Sequence, residues 1–206
     1  MRYLGDVVTL ARKDLRVELR TWQTLPAMLL FAVATLVVFH YASEQGGLGL
    51  LWVALLFAAL LGLARAFVAE REQHLLDALV LSPCDRSAIW LGKAIAVLGF
   101  LVAVELVALP AYALFFGALG GETVAAVALA DIGICAVGTL VSAMAAAARV
   151  RELLLPLLFL PLALPIVIAG VGASLDGGGR YLAFLALYDA VFATLCWASF
   201  EYVVTE

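Results

Sequence analysis

Apolar positions fall into six runs along this chain, at 26–42, 48–68, 94–117, 124–148, 153–173 and 182–204. A helix rises about 1.5 Å per residue, so about 20 apolar residues cross the hydrocarbon of a bilayer. Each run therefore predicts one membrane-crossing helix, the first slightly short. An even number of crossings puts both termini on the same side. Ahead of the first run, residues 1–24 carry a different pattern. Leu4, Val7, Val8, Ala11 and Leu15 recur at helical spacing, while Asp6, Arg12, Lys13 and Arg16 lie mostly off that stripe. This predicts an amphipathic helix in the membrane interface, apolar side down or docked on a partner.

The fold class expected is thus all-α, a polytopic membrane bundle forming a single domain over residues 1–206. Composition agrees: 66% of residues are hydrophobic and 14% charged, against about 25% charged in soluble domains. The net charge of −4 is weak, and without a basic tract it gives no reason to expect nucleic acid. Cys84, Cys135 and Cys196 stand singly, without metal-type or redox spacing, so no disulfide is expected. Lys and Arg decide the orientation. Eleven of the twelve lie before the first run, at the end of the second (Arg65) or in the connections at 69–93 and 149–152, and Arg180 alone lies opposite. The rich face is the cytoplasmic one.

Two runs are distinctive. The run at 124–148 is dense in alanine and glycine; small residues let helices approach closely in lipid, which predicts a central helix. The run at 153–173 contains Pro156, Pro161 and Pro165. Each removes an N–H from the ladder and pushes on the preceding turn, so this helix is expected to be bent or broken, either a hinge or a static kink.

The connection at 70–91 reads EREQHLLDALVLSPCDRSAIWL. Leu75, Leu76, Leu79 and Val80 form an apolar stripe, predicting a short amphipathic helix that ends before Pro83. Its charges Glu70, Arg71, Asp77, Asp85 and Arg86 are the candidate contacts for a cytoplasmic partner. Within the spans, Glu105 lies mid-run, and Asp131 and Asp189 lie toward the outer third. Acids in a membrane are costly and usually face the bundle interior. They are either functional or protonated carboxyls hydrogen-bonded to a neighbouring helix. His40 is read as an interfacial side chain, and Trp52, Trp90, Trp197, Tyr41, Tyr181 and Tyr202 as an aromatic belt. No H-E-x-x-H or G-x-S-x-G pattern suggests hydrolysis. No G-x-x-x-x-G-K-[ST] is present either, so nucleotide binding in the P-loop manner needs another chain.

The run R-A-F-V-A-E-R-E-Q-x-x-L-D-A-L-V-L-S-P-x-x-R-S-x-x-W-L-G-K resembles the connection between spans two and three of ABC-2-type exporter permeases. The proline-rich run L-L-L-P-L-L-F-L-P-L-A-L-P-I-V-I, with the short length and span layout, resembles the CcmB family, the haem-exporter permeases of cytochrome c maturation. One departure is His74, where that family usually has a glycine. The resemblance implies a non-enzymatic permease of the bacterial inner membrane with a coupling helix at 70–91. It implies a CcmA-like ATPase that holds the ATP, CcmC-like and CcmD-like membrane subunits, and a CcmE-like periplasmic haem chaperone. Haem would be handled by the complex, with no cofactor or metal held by this chain itself. Six spans are few for a transport path, so a homodimer or a sister membrane subunit is expected. The alternatives are a proton-linked secondary carrier using Glu105 or Asp131, and an ABC-2 permease for a lipid or drug.

Overall fold

The computed structural model describes residues 2–42, 47–67, 85–147, 151–175 and 178–205. They form seven α-helices: α1 (Arg2–Thr21), α2 (Leu25–Ala42), α3 (Leu48–Arg65), α4 (Arg86–Phe116), α5 (Gly121–Ala147), α6 (Arg151–Leu175) and α7 (Gly179–Thr205). The last six are long and apolar enough to cross a membrane, as the six runs predicted.

The small-residue helix is central. α5 packs against α3, α4, α6 and α7, and 67% of its apolar window is buried, against 17% for α2. Its glycines are the points of closest approach. A Cβ at Gly138 would strike the Leu63 side chain of α3, and one at Gly133 would lie 3.0 Å from Ile166 Cδ1 of α6. The indole of Trp52 likewise lies on Gly170 of α6. Hydrogen bonds across the bundle reinforce these seams: Ser142 Oγ donates to Leu63 O at 2.8 Å, and Trp90 Nε1 to Ala136 O at 3.3 Å.

Four sequence expectations are corrected. The third membrane helix starts at Arg86, not near residue 94, so the last part of the 70–91 connection is the opening of α4. Its early start is possible because α1 covers it. A Cβ at Gly92 would lie 2.8 Å from Leu10 Cβ and 3.2 Å from Val7 O, and one at Gly99 would lie 3.3 Å from Leu15 Cδ2. The second correction concerns α1 itself: Val7 and Ala11 are buried, whereas Leu4 and Val8 of the same stripe are exposed. The line Val7–Leu10–Ala11–Leu15, with both leucines half-buried, is turned to α4.

Third, of the bend or break expected from the three prolines, the break is absent: α6 runs unbroken from Arg151 to Leu175. Neighbouring helices take up backbone groups near the disturbed turns, as when Tyr188 Oη donates to Leu162 O at 2.7 Å, between Pro161 and Pro165. Fourth, Trp52 and Trp90 are buried and belong to the bundle interior, not to an aromatic belt. Tyr41, Trp197 and Tyr202 are exposed, as belt residues should be.

Candidate functional site: an inner charged clasp and a layer of acids

The first polar constellation sits where α1, the end of α3 and the start of α4 meet. Lys93, only 6% exposed, lies on the second turn of α4. Its Nζ is 2.9 Å from Asp14 Oδ2 of α1, donates to Ala66 O at 2.7 Å, and stands 5.1 Å from the centroid of the Phe67 ring. Ala66 caps the C-terminus of α3, where helix carbonyls have no intrahelical partner and the dipole favours a cation. A buried ammonium needs such a set, because an unpaired charge out of water is expensive. Asp14 is also 3.2 Å from Lys13 Nζ.

One turn further along α1, the buried Glu18 ties the helix to α2. Its Oε1 accepts from the backbone N–H groups of Thr24 and Leu25, each at 2.7 Å. Between them α1 ends at Trp22, whose φ of 49° is left-handed, a helix-ending conformation unusual for a residue other than glycine. Arg65 Nη1 of α3 donates to Gln23 O at 3.0 Å, on the same rim. Thus α1 is fixed to α4 and to the start of α2, and the α1–α2 connection to α3, by side chains with named partners.

The proposed partner contacts divide. Glu70, Arg71 and Asp77 lie outside the described residues. Asp85 sits at the N-cap position of α4 and accepts from Ser87 Oγ at 3.2 Å. Arg86 opens α4 and lies 3.9 Å from Glu201 of α7, so it links two inner helix ends as well as bordering the connection.

The second constellation is a layer within the bundle. Glu105 stands eleven residues before the end of α4, and Asp131 and Asp189 stand ten residues into α5 and α7. All three are about 15–17 Å from the same ends of their helices, at one depth. Glu105 and Asp131 hydrogen-bond to each other. They line a narrow cavity with Trp52, Leu101, Ile134 and Val167. Asp189 stands apart against Gly133, where a Cβ would be 2.5 Å from its Oδ1. Both of its carboxyl oxygens are buried without a hydrogen-bond partner.

Pro156, Pro161 and Pro165 all fall within the unbroken α6. At the outer end, His40 stacks on Phe115, with ring centroids 5.0 Å apart, beside Tyr41 and Phe116. Cys135 and Cys196 are buried free thiols. Among the described residues no three His, Cys, Asp or Glu side chains gather as a metal-binding group.

The sequence reading missed the clasp. Its signal was a lysine followed immediately by a charge-free run, with Asp14 and Glu18 on the helix that covers it. Nothing in the spacing linked Lys93 to Asp14, nearly eighty residues earlier.

With this geometry in place, comparison with known proteins decides the family. The sequence model described as CcmB protein matches residues 6–201. The chain belongs to the CcmB family. A protein of Bradyrhizobium diazoefficiens named Heme exporter protein B is 31% identical over 186 residues, covering 80% of this chain and 79% of that protein. One of the same name from Pseudomonas aeruginosa is 35% identical over 156 residues, covering 71% and 70%. The CcmB match takes in Asp14, Glu18, Lys93 and the three buried acids, so both constellations belong to the family region.

Proposed function

We propose that this chain is the membrane permease subunit of a haem-export system serving cytochrome c maturation. The observation that carries the reading is the CcmB match along nearly the whole chain, on a bundle with six candidate membrane spans. The chain is a non-enzymatic subunit of a bacterial membrane complex. Its finer placement is the inner membrane with both termini in the cytoplasm, supported by the eleven Lys and Arg residues on one face.

ATP is hydrolysed in a separate CcmA-like subunit, which engages the connection between α3 and α4 through Glu70, Arg71, Asp77, Asp85 and Arg86. CcmC-like and CcmD-like membrane subunits and a CcmE-like chaperone complete the assembly, in which haem is cargo rather than a resident group of this chain. A second membrane subunit, another copy or a sister chain, completes the path. The clasp supplies a physical route for the stroke. Both ends of the α3–α4 connection are tied through Lys93 to α1 and to the Ala66 carbonyl. A displacement of that connection therefore loads α4 and α1 together, as a two-state element biased from the cytoplasm. The prolines of α6 give the bundle its hinge.

Deleting the gene and restoring it from a plasmid tests this reading. Covalent haem in periplasmic c-type cytochromes should vanish and return, and the tagged chain should bring down an ATPase in mild detergent. Normal cytochrome c in the deletion strain would overturn the haem-export reading. Transport that follows a pH gradient and survives nucleotide depletion would replace it with a proton-linked carrier.

A further inference from the structure

The carboxyl pair within the bundle is not used by the clasp or by any ATPase contact. Glu105 comes from α4 and Asp131 from α5, and their side chains hydrogen-bond to one another. An ionised carboxylate offers only acceptors, so this bond requires a proton on one of the two. No Lys or Arg occurs in residues 94–148 to neutralise them.

Neither α1 nor α2, which also pack on α4, lines the cavity around the pair. α3 gives Trp52 and α6 gives Val167, neither titratable. On α5, Cys135 stands one turn beyond Asp131, and on α7 the nearest acid, Asp189, lies against Gly133. None of these brings a positive charge.

Trp52 supplies the observation independent of the acids. It borders the same cavity and is 2% exposed, and its Nε1–H has no acceptor. A buried donor without a partner is costly, which implies an acceptor not belonging to the protein. The cavity has room for about one water. A bare metal cation would meet the indole N–H, a donor, and is the wrong chemistry. A water accepts from Trp52 while donating to a carboxyl oxygen.

We infer that Glu105, Asp131 and Trp52 form a proton-binding site inside the bundle, a carboxyl pair that holds one exchangeable proton beside a single ordered water. The proton joins α4 to α5. Its loss leaves two like charges facing each other in low dielectric, which drives the helices apart. Proton occupancy therefore sets the packing of α4, whose other end carries Lys93. The inference does not depend on haem being the cargo.

Infrared spectroscopy of the purified chain in lipid vesicles tests it. The wild-type protein should show the C=O stretch of a protonated carboxyl, shifted to lower frequency after equilibration in D2O. In an Asp189→Asn background, which removes the other buried carboxyl of the layer, the band should be lost in Glu105→Gln and equally in Asp131→Asn, because in either variant the amide donates to the remaining carboxylate and no shared proton is needed. Asp189→Asn should keep it, and either of the first two variants suffices if the other does not fold. Absence of the band in the Asp189→Asn protein, or its survival when Glu105→Gln or Asp131→Asn is added and the protein folds, overturns the site. Trp52→Phe should slow the D2O shift several-fold by removing the donor that holds the water; exchange at the wild-type rate would overturn the water's part.

Discussion

Lys93 and Asp189 are equally buried, each 6% exposed, yet their surroundings are opposite. Lys93 has a carboxylate, a helix-terminal carbonyl and an aromatic face. Asp189 has two oxygens without a partner. The difference follows from where each lies along its helix. Near the inner rim, α3 ends and leaves carbonyls free for a cation. Ten residues into α7, every neighbouring backbone group belongs to a helix interior and is already spent on its own ladder. A polar group there can find partners only among other side chains, as Glu105 and Asp131 do, or keep a proton and stay neutral. The inner rim is thus built to hold charge, and the middle of the bundle to hold carboxyls.

Four substitutions test that contrast. The largest effect is expected for Lys93→Met, which leaves Asp14 without its buried cation and should cost about 3–5 kcal/mol. Chemical unfolding in mild detergent measures it, and adding Asp14→Leu should restore most of the loss. A wild-type midpoint in the single variant would mean that the pair does not hold α1.

Gly133→Val should come next, at about 1–3 kcal/mol, since the new side chain meets Asp189 Oδ1 and Ile166. A double-mutant cycle with Asp189→Ala should recover much of this; additive losses would show that the carboxyl does not occupy that space. Glu18→Ala should cost about 1–2 kcal/mol by stripping two backbone N–H groups at the start of α2 of their acceptor. Limited proteolysis near Trp22 would then quicken. The smallest change is expected for Asp189→Asn, within about 0.5 kcal/mol in the same unfolding assay, because no partner is lost. A large drop there would show that Asp189 has a partner within the folded chain.

Much of this architecture was legible in residue pattern. The six runs fixed the six long helices because a lipid-facing helix must be apolar along its whole length. The alanine- and glycine-rich run pointed to a central helix, since small side chains are what allow close packing when apolar burial is no driving force. α5 bears this out against the equally apolar but peripheral α2. The start of α4 was misjudged because Arg86 and Lys93 look like loop residues to a hydropathy reading. Their partners, Glu201 and Asp14, lie over a hundred and nearly eighty residues away. The buried places of Trp52 and Trp90 were missed for the same reason: their room is made by Gly170 and by the Ala136 carbonyl on other helices.

Residue pattern alone was enough for the membrane habit, the six long apolar helices and the family resemblance. All of these depend on residue type along one chain and on its solvent, lipid or water. Which polar groups meet was decided only by tertiary packing. Glu105 finds Asp131, Lys93 finds Asp14, and Asp189 finds no partner, because such pairings depend on which helix faces press together and at what depth. Hydropathy carries no record of that.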